Sequence, residues 1–226
     1  VEDGDTIGTI SWFAADGTDS DSRTAHIRSE VDGTPGANDM PGRIIFSTTS
    51  DGSAQPSERL RITSEGHIIL DGDTNTYIHR PASDTFAIVN GGTESLRITS
   101  SKIYIGHTAA TSVSGTNSRI QISGTSNATS SAIIQRFTDN TNGNFLFFGK
   151  SRGTTIGDYT AVQSGDIIGS IRWCGADGTD MAESAADIRG EVDGTVSSNV
   201  VPGRIVFRTS RAGTLTEVMR MADSGH

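Results

Sequence analysis

The chain has one cysteine, Cys174, so no disulfide can form within it. Only 33% of its residues are hydrophobic and 6% aromatic, well short of the ~45–50% apolar share of ordinary domains, even allowing for the glycine in that count. No run approaches the roughly 18 apolar residues that a spanning helix needs, which excludes membrane insertion by that route. No segment carries a helical hydrophobic period. Basic residues are outnumbered: 18 Lys and Arg face 27 Asp and Glu, for a net charge of −9. A nucleic-acid binder needs a basic face to neutralise phosphates, so that class of partner is disfavoured. No secretory leader precedes the first apolar stretch. Val1 opens inside a repeat unit, and a natural N-terminus upstream of it is expected.

Present instead is glycine, at 27 residues, and repetition. "GDTIGTISWFAADGTD" from Gly4 returns as "GDIIGSIRWCGADGTD" from Gly165, an offset of 161 that holds without a gap from Gly4–Thr49 to Gly165–Ser210. Over those 46 positions 26 residues are identical. They include Trp12/Trp173, Asp16/Asp177, Ile27/Ile188, Arg28/Arg189, Glu30/Glu191, Arg43/Arg204 and Phe46/Phe207. The offset then falls to 159, pairing Glu58 with Glu217, Arg61 with Arg220 and His67 with His226. "ERLRITSEGHIIL" at Glu58–Leu70 is echoed by "ESLRITSSKIYIG" at Glu94–Gly106, and "EVMRMADSGH" is a third, worn version. Internal duplication on this scale identifies a repeat architecture.

Within a copy the apolar period is two. Ile10, Trp12 and Ala14 fall on one face, and Thr9 and Ser11 on the other. Ala25, Ile27 and Val31 oppose Arg28 and Glu30; Ile44 and Phe46 oppose Arg43, Ile45 and Ser47; Leu60 and Ile62 oppose Arg59, Arg61 and Thr63. This is half-buried strand patterning. The separators "DGTD", "VDGTPG" and "TSDGS" are turn chemistry, with Asp accepting local backbone bonds and Gly supplying positive φ. Each copy is predicted to be a four-stranded antiparallel meander. "TYIHR", "TFAIVN", "KIYIG", "RIQISG", "AIIQRF" and "FLFFGK" are shorter predicted strands, with Phe145, Phe147 and Phe148 expected in a buried one. The fold class is all-β: antiparallel meander repeats joined by a slender β connector. The expected division is 1–67 as the first repeat, 68–119 as the connector and 120–226 as the second repeat with its leading strands.

A meander has one apolar face and two free edges, and no helix is available to cover it. A narrow connector between the copies argues against their stacking on each other. Burial against equivalent chains around an axis solves the problem along the whole length, and closed cyclic symmetry is the common form. We expect Ile10/Ile171, Trp12/Trp173, Ile27/Ile188 and Phe46/Phe207 to form the axial core. Arg28, Glu30 and Arg43 read as cross-strand ion pairs on a solvated face.

No residue qualifies as catalytic, cofactor-binding or metal-binding. Asp71, Asp73 and Asn75 match the first positions of a calcium loop, but Thr76 and Ala82 stand where Gly and Glu belong, so a polar hairpin turn is the reading. Asp16, Asp19 and Asp21 lose a member in the second copy, where Ala182 replaces Asp21. His26, His67, His79, His107 and His226 lack zinc-ligand spacing. Cys174 stands where the first copy has Phe13, as a small apolar filler. Gly149, Lys150 and Ser151 lack the preceding glycine of a phosphate loop, and Asn127–Thr129 is a glycosylation sequon by letter only. A sugar-cleaving pair of carboxylates is not singled out, so no enzymatic activity and no cofactor are expected.

"GDxIGxIxWxxADGTD", "EVDGT…PGRIxF" and "ExLRIxS" followed by "LDGDTNTYI" resemble the repeats of phage tail-fibre proteins, particularly marine and cyanobacterial ones. The resemblance covers nearly the whole chain and is weakest from Thr108 to Ser131. It implies an elongated parallel homotrimer in the extracellular virion tail, a structural shaft segment supporting host-surface attachment. It implies other virion tail proteins as partners, and a host glycan or protein met through a tip that is not evident in this chain. Two alternatives stand beside it: a tailspike that degrades polysaccharide, and a bacterial surface adhesin or filament subunit.

Overall fold

A computed structural model describes residues 1–225. The chain is all-β and divides into two compact units, Val1–Ala110 with Arg119–Ser131, and 111–118 with 132–225.

The first unit is one ten-stranded sheet in sequence order, β1 to β10. Its strands are β1 (Thr6–Ala14), β2 (Ser22–Val31), β3 (Gly42–Thr48), β4 (Ser57–Ile62), β5 (Ile68–Leu70), β6 (Tyr77–His79), β7 (Phe86–Asn90), β8 (Thr93–Ile98), β9 (Ile103–Ile105) and β10 (Ile120–Ile122). Every neighbouring pair is antiparallel except β9 and β10, which run parallel. Strands β1–β4 form the meander that the alternation predicts, and the strands expected in the connector extend the same sheet. The second unit is a separate meander of β11 (Ile167–Cys174), β12 (Ser184–Val192), β13 (Gly203–Arg211) and β14 (Thr214–Met221).

The two meanders share a register. Glu30 opposes Arg43 as Glu191 opposes Arg204, and Ile10 opposes Ile27 as Ile171 opposes Ile188. Their irregularities also coincide. The residues just after Trp12 and Trp173 step out of register against the facing strand, as do Thr6–Gly8 and Ile167–Gly169. A bulge inserts one residue and re-aims the side chains beyond it. A third such step places Arg59, Ser95 and Val218 as the extra residue of β4, β8 and β14. Glu58 and Arg61, three apart, would face opposite ways on a regular strand. The bulge returns them to one face, with Arg61 Nη2 donating to Glu58 Oε2 at 2.7 Å. Glu94–Arg97 and Glu217–Arg220 repeat the geometry.

The turns follow their letters. Asp16 Oδ1 accepts from the amides of Thr18 and Asp19, and Asp177 Oδ1 accepts from those of Thr179 and Asp180. Asn38 and Asn199 both take positive φ, 59° and 61°, a conformation that Asn tolerates better than most side chains. Two predicted strands are not formed. From 132 to 163 no residue belongs to a strand, and Phe145 and Phe147 are 66% and 83% exposed, a correction to the buried strand expected there. The partner of His67 in the repeat, His226, lies outside the described residues.

Candidate functional site

Each sheet is a single layer, and its two faces differ. On one face of the first sheet Ile44, Ile62, Ile68, Ile78, Ile88, Leu96, Ile105 and Ile122 stand directly opposite one another, strand after strand from β3 to β10. Beside this row run Ile10, Ile27, Phe46, Leu60 and Leu70 across β1–β5. Phe86, Ile98, Ile103 and Ile120 flank it farther on. Among the described residues of this unit no strand packs over this face: contacts between its elements run along the sheet. Ile10 is 63% exposed, Trp12 48% and Ile120 63%. Where β5–β8 pass, the face hollows into an open depression of about 600 Å³, lined by Ile68, Ile78, Phe86 and Ile98 with His79 and Arg80 at its rim. The second sheet repeats the arrangement with Ile171, Ile188, Phe207 and Met219 in one row and Trp173 beside it.

The opposite face is polar in composition, yet it holds the most buried groups. Ile45 lies between Arg28 and Arg61, and Val206 between Arg189 and Arg220; both aliphatics are essentially inaccessible. Ala87, between His79 and Arg97, is fully covered too. Arginine stems lying flat over a small neighbour bury it without a second layer. The expectation of a solvated ionic face is therefore corrected. Glu30 is buried, with Arg43 donating to Glu30 Oε2 at 2.8 Å and to Asp32 Oδ1 at 2.9 Å. Glu191, Arg204 and Asp193 reproduce the set. Partly desolvated pairs of this kind resist screening and suffer more from loss of one partner than exposed pairs do. Burial pushes the Asp32 carboxyl up, but the Ser64 amide and Arg43 outweigh it and hold its pKa below the ordinary value. Arg204 holds Asp193 below it as well, helped by the Asp223 amide.

One cross-strand set of three residues on this face changes its chemistry between the copies. Ser11, His26 and Ser47 lie across β1–β3, and Arg172, Asp187 and Arg208 occupy the same places across β11–β13. His26 is buried, and neither ring nitrogen has a hydrogen-bond partner among the described residues. Its burial first, and the charges of Arg28 and Arg23 next, hold its pKa below the ordinary histidine value, against the pull of Glu30. Farther along, His67 stacks on Tyr77 with centroids 4.2 Å apart, and His79 meets both edge-on.

The other sequence candidates resolve as local structure. Asp71 Oδ1 accepts from Arg59 Nη1 at 2.9 Å while Asp73 Oδ1 accepts from the Asn75 amide, so the three residues of the calcium-like string do not converge. Among the described residues no group of three or more His, Cys, Asp or Glu is placed to hold a metal. Cys174 is half-buried on β11, with Sγ 3.5 Å from Ser184 Oγ.

No family model matches the sequence, and no curated protein matches it. Among solved structures, the carboxy-terminal domain of the bacteriophage T5 L-shaped tail fibre aligns over 100% of this chain and 79% of its own, at 13% identity and a TM-score of 0.39. The same domain with its intra-molecular chaperone domain aligns over 100% of this chain and 55% of its own, at 15% identity and a TM-score of 0.38. This chain thus spans about half the length of the second.

Proposed function

We propose that this chain is a structural shaft segment of a trimeric phage tail fibre, with three parallel copies burying their aliphatic faces around a common axis. The observation that carries the reading is the row of eight aliphatic residues from Ile44 to Ile122, in register across eight strands and covered by no other strand among the described residues of its own unit. Apolar area left in water costs about 25 cal/mol per Å², and soluble monomers rarely expose contiguous patches beyond a few hundred Å². A row that advances one strand at a time suits a partner that repeats at the same interval, and identical copies in register supply that repeat.

In this reading the arginine-rich face is the outer surface, where the ion pairs keep the chain soluble and block pairing between fibres. The chain carries load and spacing and has no enzymatic role. Host-surface contact belongs to a tip outside these residues, and three tips on one shaft gain avidity without new contacts. The test is made on virions of a phage encoding the chain. Antibody raised against it is expected to decorate the tail fibres under the electron microscope. Antibody that binds the purified chain but leaves the tail bare would contradict the assignment.

A further inference from the structure

The stretch from 144 to 149 has the make-up of a strand, with four consecutive large apolar residues, Phe145 to Phe148. It has no strand partner. Its backbone N–H groups meet no backbone carbonyl among the described residues. Apolar stretches whose backbone is left unpaired are templates for another chain.

The stretch is fixed at one end to its own sheet. Phe148 lies over Gly169 on β11, where an added Cβ would collide with the phenylalanine. Four residues on, Arg152 holds Asp166 through two hydrogen bonds of 2.7 Å. Gly169 shares its sheet face with Ile171 and Trp173, because side chains two apart on a strand point the same way. Phe148 therefore touches the aliphatic face that the proposed trimer buries. Phe145 and Phe147 stack on each other, centroids 5.3 Å apart, and remain exposed. Nothing in their own unit covers them.

We infer that Phe145–Gly149 is an exchange strand: it pairs with a second copy of this chain and lays Phe145 and Phe147 on that copy's aliphatic sheet face. The inference rests on the trimer reading, and its strongest support is continuity. The stretch leaves its own sheet on the face where the neighbour is placed. A second copy also offers the free edge of β11 or β14 to satisfy the unpaired amides, the pairing mode of β-strand addition.

Hydrogen–deuterium exchange on the full chain, with its mass measured in the same sample, decides the matter. Amides of residues 145–149 are expected to exchange about 100-fold slower than in a free peptide of that sequence, as paired strands do, in a sample of three-chain mass. Free-peptide rates at three-chain mass would overturn the exchange strand and leave the trimer reading standing. Single-chain mass would overturn both. The double variant F145S/F147S is expected to raise the concentration at which the assembly dissociates at least tenfold. Unchanged dissociation of a folded variant would also overturn the inference, and if the variant does not fold, the exchange rates of the wild-type chain decide.

Discussion

Asp187 on β12 stands directly opposite Arg208 on β13 and takes a bidentate pair of hydrogen bonds from its guanidinium, Nε to Oδ1 at 2.8 Å and Nη2 to Oδ2. The first copy has His26 opposite Ser47 at the same place. Across three strands Ser–His–Ser has been exchanged for Arg–Asp–Arg without altering the register. The site behaves as one packing unit: a carboxylate enters where two guanidiniums can satisfy it, and a neutral ring sits where two small hydroxyls leave room.

Removing the carboxylate strands Arg208 on a covered face. Asp187→Ala is expected to destabilise the second sheet by about 3 kcal/mol, the range for breaking a buried pair by deleting one member. His26→Ala is expected to cost less, because no hydrogen bond is lost. Urea denaturation of the two variants checks the order. An equal or reversed order would show that the pair contributes as little as an exposed one.

The same two positions set opposite ends of the pH response. The folded pKa of His26 lies below its ordinary 6.5, chiefly through burial, and His79 is lowered in the same way with His67 as a second cause. A lowered histidine binds its proton more readily unfolded. Its contribution is full above pH 6.5 and is lost as pH falls from there toward the folded pKa. Asp187 is held below 3.8 first by Arg208, so its contribution is full above 3.8 and is lost as pH falls through the lower folded value. Stability measured from pH 8 to pH 3 should fall in two steps. His26→Gln with His79→Gln should flatten the first and spare the second. A first step undiminished in that variant would rule the histidines out as its source.

Gly8 and Gly169 provide an internal control. They are equivalent in the repeat, but an added Cβ at Gly8 meets nothing within 4 Å, whereas at Gly169 it meets Phe148. Gly169→Ala is expected to destabilise by about 1–3 kcal/mol, as overpacking does, and Gly8→Ala to be near neutral. Parallel thermal melts read the difference. Equal effects would mean that Phe148 does not occupy that slot.

Much of this was legible from letters alone. A period of two placed Ile10, Trp12, Ile27 and Phe46 on one face, and the structure keeps them there. The offset of 161 carried the register of one meander onto the other. The bulges were not legible as such: Arg59 reads as a regular member of the polar face until the step beside it shows that Glu58 and Arg61 share a side. Nor could period two reveal how far the ionic face would be covered. Ile45 and Val206 are buried between arginines of the two flanking strands, whose long stems can cover apolar neighbours, a property of cross-strand neighbours and not of the strand itself. "FLFFGK" has strand composition but finds no partner strand among the described residues. Composition records what a segment can pair with, not whether the partner is present.

The central claim is that the aliphatic faces meet around an axis of three chains. Light scattering on a sizing column measures it directly. The expected mass is three times the 23.7 kDa of the chain, and Trp12→Ala, which removes a large side chain from that face, should lower the stability of the assembly by a few kcal/mol, about 3–5 for a buried aromatic. A stable particle of single-chain mass, with Trp12→Ala melting like the wild type, would contradict the account.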